Sequence, residues 1–218
     1  MNRNKSVKTS LIAIACVLAL GAQVSKANTT YSLDVGDSDL SPTYPGSYGS
    51  VTVSLTDSTH ATITFTGGAA GGYTYLLGAN NIANVNVNAT TFSISVTSVD
   101  PGFSDGPSFQ NVSMFGKFNG SMDNTAGFTF AVPSLTLSVT DTSGTWLSSA
   151  DVLAADDKGY FVSAHIFVVN ATGLNPQTGF AGSTTGTNTV PDGGSTVALL
   201  GLGLLGLRWV RQVTSKKK

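Results

Sequence analysis

The sequence predicts an all-β domain, an antiparallel β-sandwich of the jelly-roll or Ig-like kind, flanked by an N-terminal signal helix and a C-terminal membrane helix. Three observations support this architecture. Short segments between residues 31 and 169 alternate apolar and polar side chains, as strands with one buried face do. Turns rich in glycine and proline separate these segments. The long apolar runs lie near the two ends of the chain.

Residues 1–27 have the three parts of a secretory signal peptide. A short basic segment precedes an apolar run at residues 11–22, which is shorter than the roughly 20 residues of a spanning helix. Ser25 and Ala27 then place small side chains at the two positions that a signal peptidase inspects. We therefore predict cleavage between Ala27 and Asn28, with a buried N-terminal helix as the alternative. Cys16, the only cysteine, lies in this segment, so the mature protein has no disulfide.

The predicted domain spans residues 28–174. Threonine, serine and asparagine on one face of each alternating segment are typical of antiparallel strands exposed on that face. The run at 161–169 is apolar on both faces and predicts a central strand, whereas 146–156 predicts one helical turn. The alternating segments lie at residues 51–55, 61–65, 85–87, 92–96, 128–132 and 135–139.

Residues 175–189 are rich in Gly, Ser, Thr and Asn, which predicts a flexible linker between the domain and the tail. The tail, residues 190–218, has a short motif, an uncharged apolar run at 197–207 and a basic end. An apolar run before terminal basic residues predicts a membrane anchor whose C-terminus stays inside. The motif consists of Val190, Pro191, Asp192, Gly193 and Gly194, and the basic residues are Arg208, Arg211, Lys216, Lys217 and Lys218.

This tail resembles the VPDSG-CTERM sorting signal, a relative of the PEP-CTERM tails that exosortases process. Motif, apolar helix and basic cluster occur in the family's order, although Gly193 stands where the family usually has serine. The resemblance implies that an exosortase-like cysteine protease recognises Pro191 and Asp192 at the membrane. It also implies a surface or extracellular location and a link to exopolysaccharide or biofilm. A plain single-span anchor is the alternative interpretation.

The charges of the chain are segregated. Between residues 28 and 191, two lysines and eleven aspartates give a formal charge of −9, so we expect no nucleic-acid partner. The aspartates Asp34, Asp37 and Asp39 are candidate Ca²⁺ ligands, because hard oxygen ligands suit that ion. Their spacing matches no fixed calcium loop, and aspartates also cap turns and keep a surface soluble. We therefore predict no cofactor, with calcium as the open alternative.

No arrangement of nucleophile and base stands out in the sequence, so we predict a non-enzymatic surface or matrix protein. His60 and His165 lie on predicted strands, where a lone histidine is usually structural. One alternative is a carbohydrate-binding module. A second is a secreted hydrolase, which would need two carboxylates in a cleft. The aromatic side chains that would hold a sugar in a binding module are Tyr73, Tyr75, Phe103 and Trp146.

Overall fold

The computed structural model describes residues 27–97, 103–104, 108–124 and 127–189. Within these residues the chain is mostly β, as the alternating segments predict. Three short 3-10 helices lie at Ser113–Phe115, Gly127–Phe130 and Ser149–Asp151. The strands are β1 (Asn28–Leu33), β2 (Val35–Gly36), β3 (Gly49–Leu55), β4 (His60–Gly67), β5 (Ala69–Ala70), β6 (Tyr73–Leu77), β7 (Ala83–Val85), β8 (Phe92–Val96), β9 (Phe103–Ser104), β10 (Gln110–Val112), β11 (Gly116–Phe118), β12 (Gly120–Asn124), β13 (Ser134–Asp141), β14 (Val162–Val169), β15 (Gln177–Ser183) and β16 (Gly186–Thr189).

Six strands form the first antiparallel sheet, in the order β16-β1-β3-β4-β13-β8. Burial alternates strictly along β3, where Val51, Val53 and Leu55 point into the core. Leu135, Leu137 and Val139 do the same on β13. The period-two pattern of the sequence is thus confirmed for these strands, and it fixes their register because a slip of one residue would expose every buried side chain.

The second sheet has β14 at its centre. One edge of β14 pairs with seven residues of β15, and the other edge is shared by β6 and β7. Six of the eight residues of β14 are buried, which confirms the predicted central strand. Val162, Ala164, Ile166 and Val168 join the side chains of the first sheet in a single hydrophobic core.

The two antiparallel sheets form a half-barrel, and the chain passes from one sheet to the other at several corners. At Gly67 and Gly68 it passes from β4 in the first sheet to β5, which pairs with β6 in the second. A side chain at Gly67 would meet the carbonyl oxygen of Tyr75, and one at Gly68 would come within 2.6 Å of the Ser47 carbonyl oxygen. Glycine is needed here because three backbone segments approach one another too closely for a Cβ atom.

The predicted strand at 128–132 is wrong. Residues Gly127–Phe130 form a 3-10 helix, and Gly127 has a positive φ of 61°. Phe128 and Phe130 each remain 40% exposed, and the ring of Phe128 packs against Phe167 at a centroid distance of 5.4 Å. The two alternating phenylalanines therefore belong to a 3-10 helix, and one of them, Phe128, packs on the outer face of the second sheet.

The predicted flexible linker at 175–189 is also wrong, because most of this segment is paired. β15 lies inside the second sheet, with Ala181 and Ser183 buried. β16 crosses to the first sheet and pairs with β1. Glycine and small polar residues serve close packing here: a side chain at Gly182 would meet the ring of Phe115 at 2.5 Å. The domain therefore continues to Thr189.

The remaining predicted segments lie outside the described residues. These are the signal helix before Ala27 and the tail from Val190 onward, including its predicted membrane helix. In the part of the chain that the structure does describe, no helix combines the length and the apolar character needed to cross a bilayer.

Candidate functional site

The two ends of the domain lie side by side. β16 runs antiparallel to β1, and the last residue of β16, Thr189, is opposite the first residue of β1, Asn28. The predicted signal cleavage site, after Ala27, and the residue that precedes the predicted sorting motif are therefore neighbours at one corner of the half-barrel. Sequence reasoning placed both sites but did not bring them together, because it treated residues 175–189 as unpaired.

A chain of hydroxyl contacts joins these ends to the domain. Ser149 Oγ donates a hydrogen bond to the Ala27 carbonyl oxygen at 2.8 Å and lies 2.8 Å from Thr29 Oγ1. Thr29 Oγ1 in turn donates to Asn188 Oδ1 at 2.8 Å. Thr29 and Ser149 are only 2% and 3% exposed, so the contact between them is shielded from water, whereas Asn188 lies at the surface. This hydroxyl cluster of Thr29, Ser149 and Asn188 holds the start of β1 and the end of β16.

The 3-10 helix at Ser149–Asp151 positions Ser149. Its N-terminus is closed by a capping box, in which Asp151 Oδ2 accepts hydrogen bonds from the backbone N–H and the hydroxyl of Ser148, at 2.8 and 2.9 Å. This is the helical turn that the sequence predicts within 146–156. Nothing in the local pattern shows that Ser149 contacts residues 120 positions away.

β16 itself lies on the surface. All four of its residues are exposed, and two of its threonine hydroxyls donate to β1 carbonyls: Thr187 to Thr30 and Thr189 to Asn28, both at 3.2 Å. Gly186 rests on the ring of Tyr31, where a Cβ would come within 2.7 Å of Cε1. Tyr31 is 2% exposed, and burial raises the pKa of its hydroxyl to about 12.

The candidate calcium ligands do not converge. Asp34 and Asp39 are exposed, whereas Asp37 closes a turn: its Oδ1 accepts from the backbone N–H groups of Asp39 and Leu40, at 3.1 and 3.2 Å. Its Oδ2 accepts from the N–H of Phe180 on β15 at 2.7 Å. Asp37 therefore ties a surface loop to the second sheet. No group of three metal-ligating side chains occurs among the described residues. The predicted lack of a cofactor stays a prediction, with calcium as its alternative.

A groove of about 720 Å³ opens beside Trp146. Asp141 lines it and holds the turn below: Oδ1 accepts from the N–H and hydroxyl of Ser143 and from the N–H of Gly144, at 2.8 to 2.9 Å. Burial raises the pKa of Asp141, but these hydrogen bonds outweigh burial and lower it overall. The other polar residues of the groove include Asn86, Asn88, Asn119 and Asp151, and its rim includes Leu147, which is 93% exposed.

The predicted row of sugar-stacking aromatics does not form a surface. Tyr75 is fully buried, and Trp146 is 3% exposed with its Nε1–H donating to the Asn88 carbonyl at 2.9 Å. Tyr73 is partly buried and packs edge-on against Tyr44. The side chain of Phe103 lies outside the part of the molecule that the structure describes. Tyr75 and Trp146 belong to the hydrophobic core, where burial of their rings stabilises the domain.

Both histidines lie on strands, as predicted. His60 opens β4, and its Nδ1 lies 2.9 Å from both Asp57 Oδ2 and Thr59 Oγ1. One ring nitrogen makes all these contacts, unlike the histidine of a catalytic triad, which uses both. The Thr59 backbone N–H and the His60 side chain lower the pKa of Asp57 well below its usual range.

His165 stacks between two rings on the outer face of the second sheet. The centroid distance is 4.5 Å to Phe180 and 5.4 Å to Phe167. Burial lowers the pKa of His165, and the Asn80 carbonyl and the charge of Asp37 oppose this effect. The imidazole thus packs within an aromatic stack, and the lowered pKa of His165 favours its neutral form.

The comparison with known families concerns the corner where the two ends meet. Residues 189–211 match the VPDSG-CTERM motif. The chain carries a PEP-CTERM-type sorting signal. The matched segment begins at Thr189, the last paired residue of β16, so the sorting signal starts on the domain without an intervening spacer. Such a signal implies an exported protein that an exosortase-like enzyme processes at the membrane. No curated protein and no solved structure matches the chain.

Proposed function

We propose that the chain is a non-enzymatic surface or extracellular-matrix protein, which is exported, held briefly in the inner membrane by its tail, and released when an exosortase-like enzyme removes that tail. The sorting signal at 189–211 carries this proposal. The pairing of Asn28 with Thr189 supports it, because both predicted membrane segments then leave the domain at one corner.

The link to exopolysaccharide or biofilm is part of the proposal, and its support is the resemblance of the tail alone. We also propose that the half-barrel is a β-sandwich of the jelly-roll or Ig-like kind. A single hydrophobic core shared by both sheets supports this classification.

The test of sorting replaces the motif and follows the tail. In a Pro191→Ala/Asp192→Ala variant with a C-terminal epitope tag, we expect export to continue and tail removal to stop. The domain then accumulates in the membrane fraction with its tag. A Thr214→Ala/Ser215→Ala variant, changed outside the matched residues, is the control and should lose its tag normally. If the wild-type protein keeps its tag in strains with and without the sorting enzyme, the tail is only an anchor.

Carbohydrate binding is the second candidate, and the groove beside Trp146 favours it. The volume of the groove lies within the range of about 300–1,000 Å³ typical of small-molecule sites. Asparagines and aspartates line it, and its lining residues include neither lysine nor arginine. This lining suits a neutral ligand rich in hydroxyl groups, because carboxylate and amide oxygens accept hydrogen bonds from hydroxyls and repel anions.

Titration of the purified domain with neutral oligosaccharides and with uronic-acid oligosaccharides tests this candidate. We expect binding of the neutral sugars only, and weaker binding by Asn88→Ala than by the control Ser95→Ala, an exposed serine on β8. Equal binding by both variants would place the ligand elsewhere, and absence of binding would remove the candidate.

A further inference from the structure

The last strand of the domain, β16, is held differently from β15, the strand before it. β15 makes seven pairs with β14 and buries Ala181 and Ser183. β16 makes four pairs with one partner, β1, and all its residues are exposed. Its sequence, Gly-Thr-Asn-Thr, contributes no apolar side chain to the core. The strand is therefore held by backbone pairing and by side-chain hydrogen bonds, without the burial that anchors β15.

The position of β16 conflicts with processing of the tail. The sorting signal begins at Thr189, within the ladder. Asp192 is three residues further, a span of about 10 Å even when fully extended. An enzyme that binds Asp192 and the residues before it must therefore approach within this distance of β16.

One edge of the β16 backbone is already occupied, because its inward N–H and C=O groups pair with β1, whereas its other edge lies at the border of the sheet. A peptide bound in extended form is recognised largely through main-chain hydrogen bonds. An enzyme that surrounds the peptide on both edges can therefore bind the residues just before the motif only after they have left β1.

We propose that β16 is a releasable strand with two alternative partners, β1 in the resting domain and the exosortase-like enzyme during processing. Residues 184–189 leave β1 before the tail is cut, and they bind the enzyme as an extended segment upstream of the motif. The inference rests on the proposed sorting function. Release frees six residues, about 20 Å of extended chain. It breaks the hydrogen bond from Ser183 Oγ to the Thr185 carbonyl and uncovers the ring of Tyr31 beneath Gly186, while the pairs between β14 and β15 remain.

The hydroxyl cluster of Thr29, Ser149 and Asn188 contributes to the stability of the contact between β16 and β1. Thr29 Oγ1 contacts Asn188 Oδ1 at 2.8 Å and is itself backed by Ser149. Thr29 is thus a positioning residue for the sorting signal, although it lies 159 residues from Asn188 in the sequence. Its replacement by valine keeps the shape of the side chain and loosens β16 without changing any residue that the enzyme would bind.

A disulfide across the two strands tests whether release is needed. Thr30 and Thr187 are partners in the ladder, and the mature chain has no cysteine of its own. We expect the oxidised Thr30→Cys/Thr187→Cys protein to keep a C-terminal epitope tag in cells that contain the sorting enzyme, and to lose it once reduced. Thr64→Cys/Thr136→Cys is the control, because it links β4 to β13 away from the ends. It should be processed in both redox states.

The second arm measures rate. Thr29→Val should be processed about three- to tenfold faster than wild type, which corresponds to the loss of one hydrogen bond. Thr64→Val, which removes a similar contact to Thr136 at 3.1 Å, should leave the rate unchanged. Equal processing of the oxidised and reduced Thr30–Thr187 protein, or an unchanged rate in Thr29→Val, would overturn the inference. A failure of the sorting function itself would appear differently, as retention of the tag by the wild-type protein.

Discussion

The hydroxyl oxygens of Ser149 and Thr29 lie 2.8 Å apart, although 120 residues separate them in the chain. This contact connects a surface 3-10 helix to the strand that begins the mature domain. Replacement of Ser149 by alanine leaves the buried hydroxyl of Thr29 with one partner fewer. We expect urea unfolding of the mature domain to show a loss of about 1 kcal/mol. Ser138→Ala, on a strand of the same sheet, should change the free energy of unfolding by less.

The predicted signal cleavage depends on the small side chain of Ala27. We expect mass spectrometry of the exported protein to find Asn28 at its N-terminus. Ala27→Phe should block cleavage and leave a longer precursor, whereas Lys26→Arg, at a position that a signal peptidase does not inspect, should be processed normally. Exported protein that still contains Cys16 would contradict the prediction.

β15 pairs with β14 and β16 pairs with β1, and these different pairings predict different results for two truncations. A fragment of residues 28–185 lacks β16 and should fold, with a lower melting temperature than 28–189. A fragment of residues 28–174 also lacks β15, which leaves one edge of β14 without a partner over seven residues and opens the core at Ala181. We expect this fragment to be unfolded by circular dichroism. Cooperative unfolding of 28–174 would show instead that residues 175–189 are the linker that their composition suggests.

The corner at Gly67 should tolerate no side chain. Gly67→Ala directs a methyl group at the carbonyl oxygen of Tyr75, and backbone must move to accommodate it. We expect a destabilisation of about 1–3 kcal/mol by chemical unfolding. Gly46→Ala is the matched control, since its Cβ would approach nothing closer than 3.7 Å. Equal stability of the two variants would mean that the corner relaxes freely.

Burial of His165 makes stability depend on pH. Because its pKa is lower in the folded state, the unfolded chain binds the proton first as the pH falls. Stability should therefore be complete above about pH 6.5 and decline as the pH drops toward the folded pKa. His165→Phe keeps an aromatic ring between Phe167 and Phe180 and should abolish this part of the pH dependence of the melting temperature. His60→Ala should retain it, and its loss there would assign the effect to His60.

Local pattern was sufficient where one face of a strand is buried. The alternation at 51–55, 61–65 and 135–139 predicted strands that the structure contains, and the apolar run at 161–169 predicted the centre of the second sheet. In these strands the buried positions require apolar residues, so the pattern of burial is visible in the sequence as a pattern of apolar residues.

Pattern was insufficient where pairing is distant or where small residues are used for packing. β16 looks like a linker because its partner strand is distant in the sequence: Thr189 pairs with Asn28, which lies 161 residues earlier. The hydroxyl cluster of Thr29, Ser149 and Asn188 leaves no local trace, since serine, threonine and asparagine are common throughout this chain. The carbohydrate-binding alternative requires the rings of Tyr75 and Trp146 on a binding surface, and only the tertiary structure shows that they lie in the core.

The pairing of Asn28 with Thr189 also determines how the domain responds to mechanical load. If the signal peptide is removed and the tail anchors the chain as predicted, any pull between the domain and the membrane enters through Thr189, at the end of the ladder. The hydrogen bonds between β16 and β1 then bear the force in succession, beginning with the pair of Thr189 and Asn28. The rest of the half-barrel, whose sheets share one core, bears little of that load until β16 has parted. Under such a load, β16 would detach before the rest of the domain unfolds.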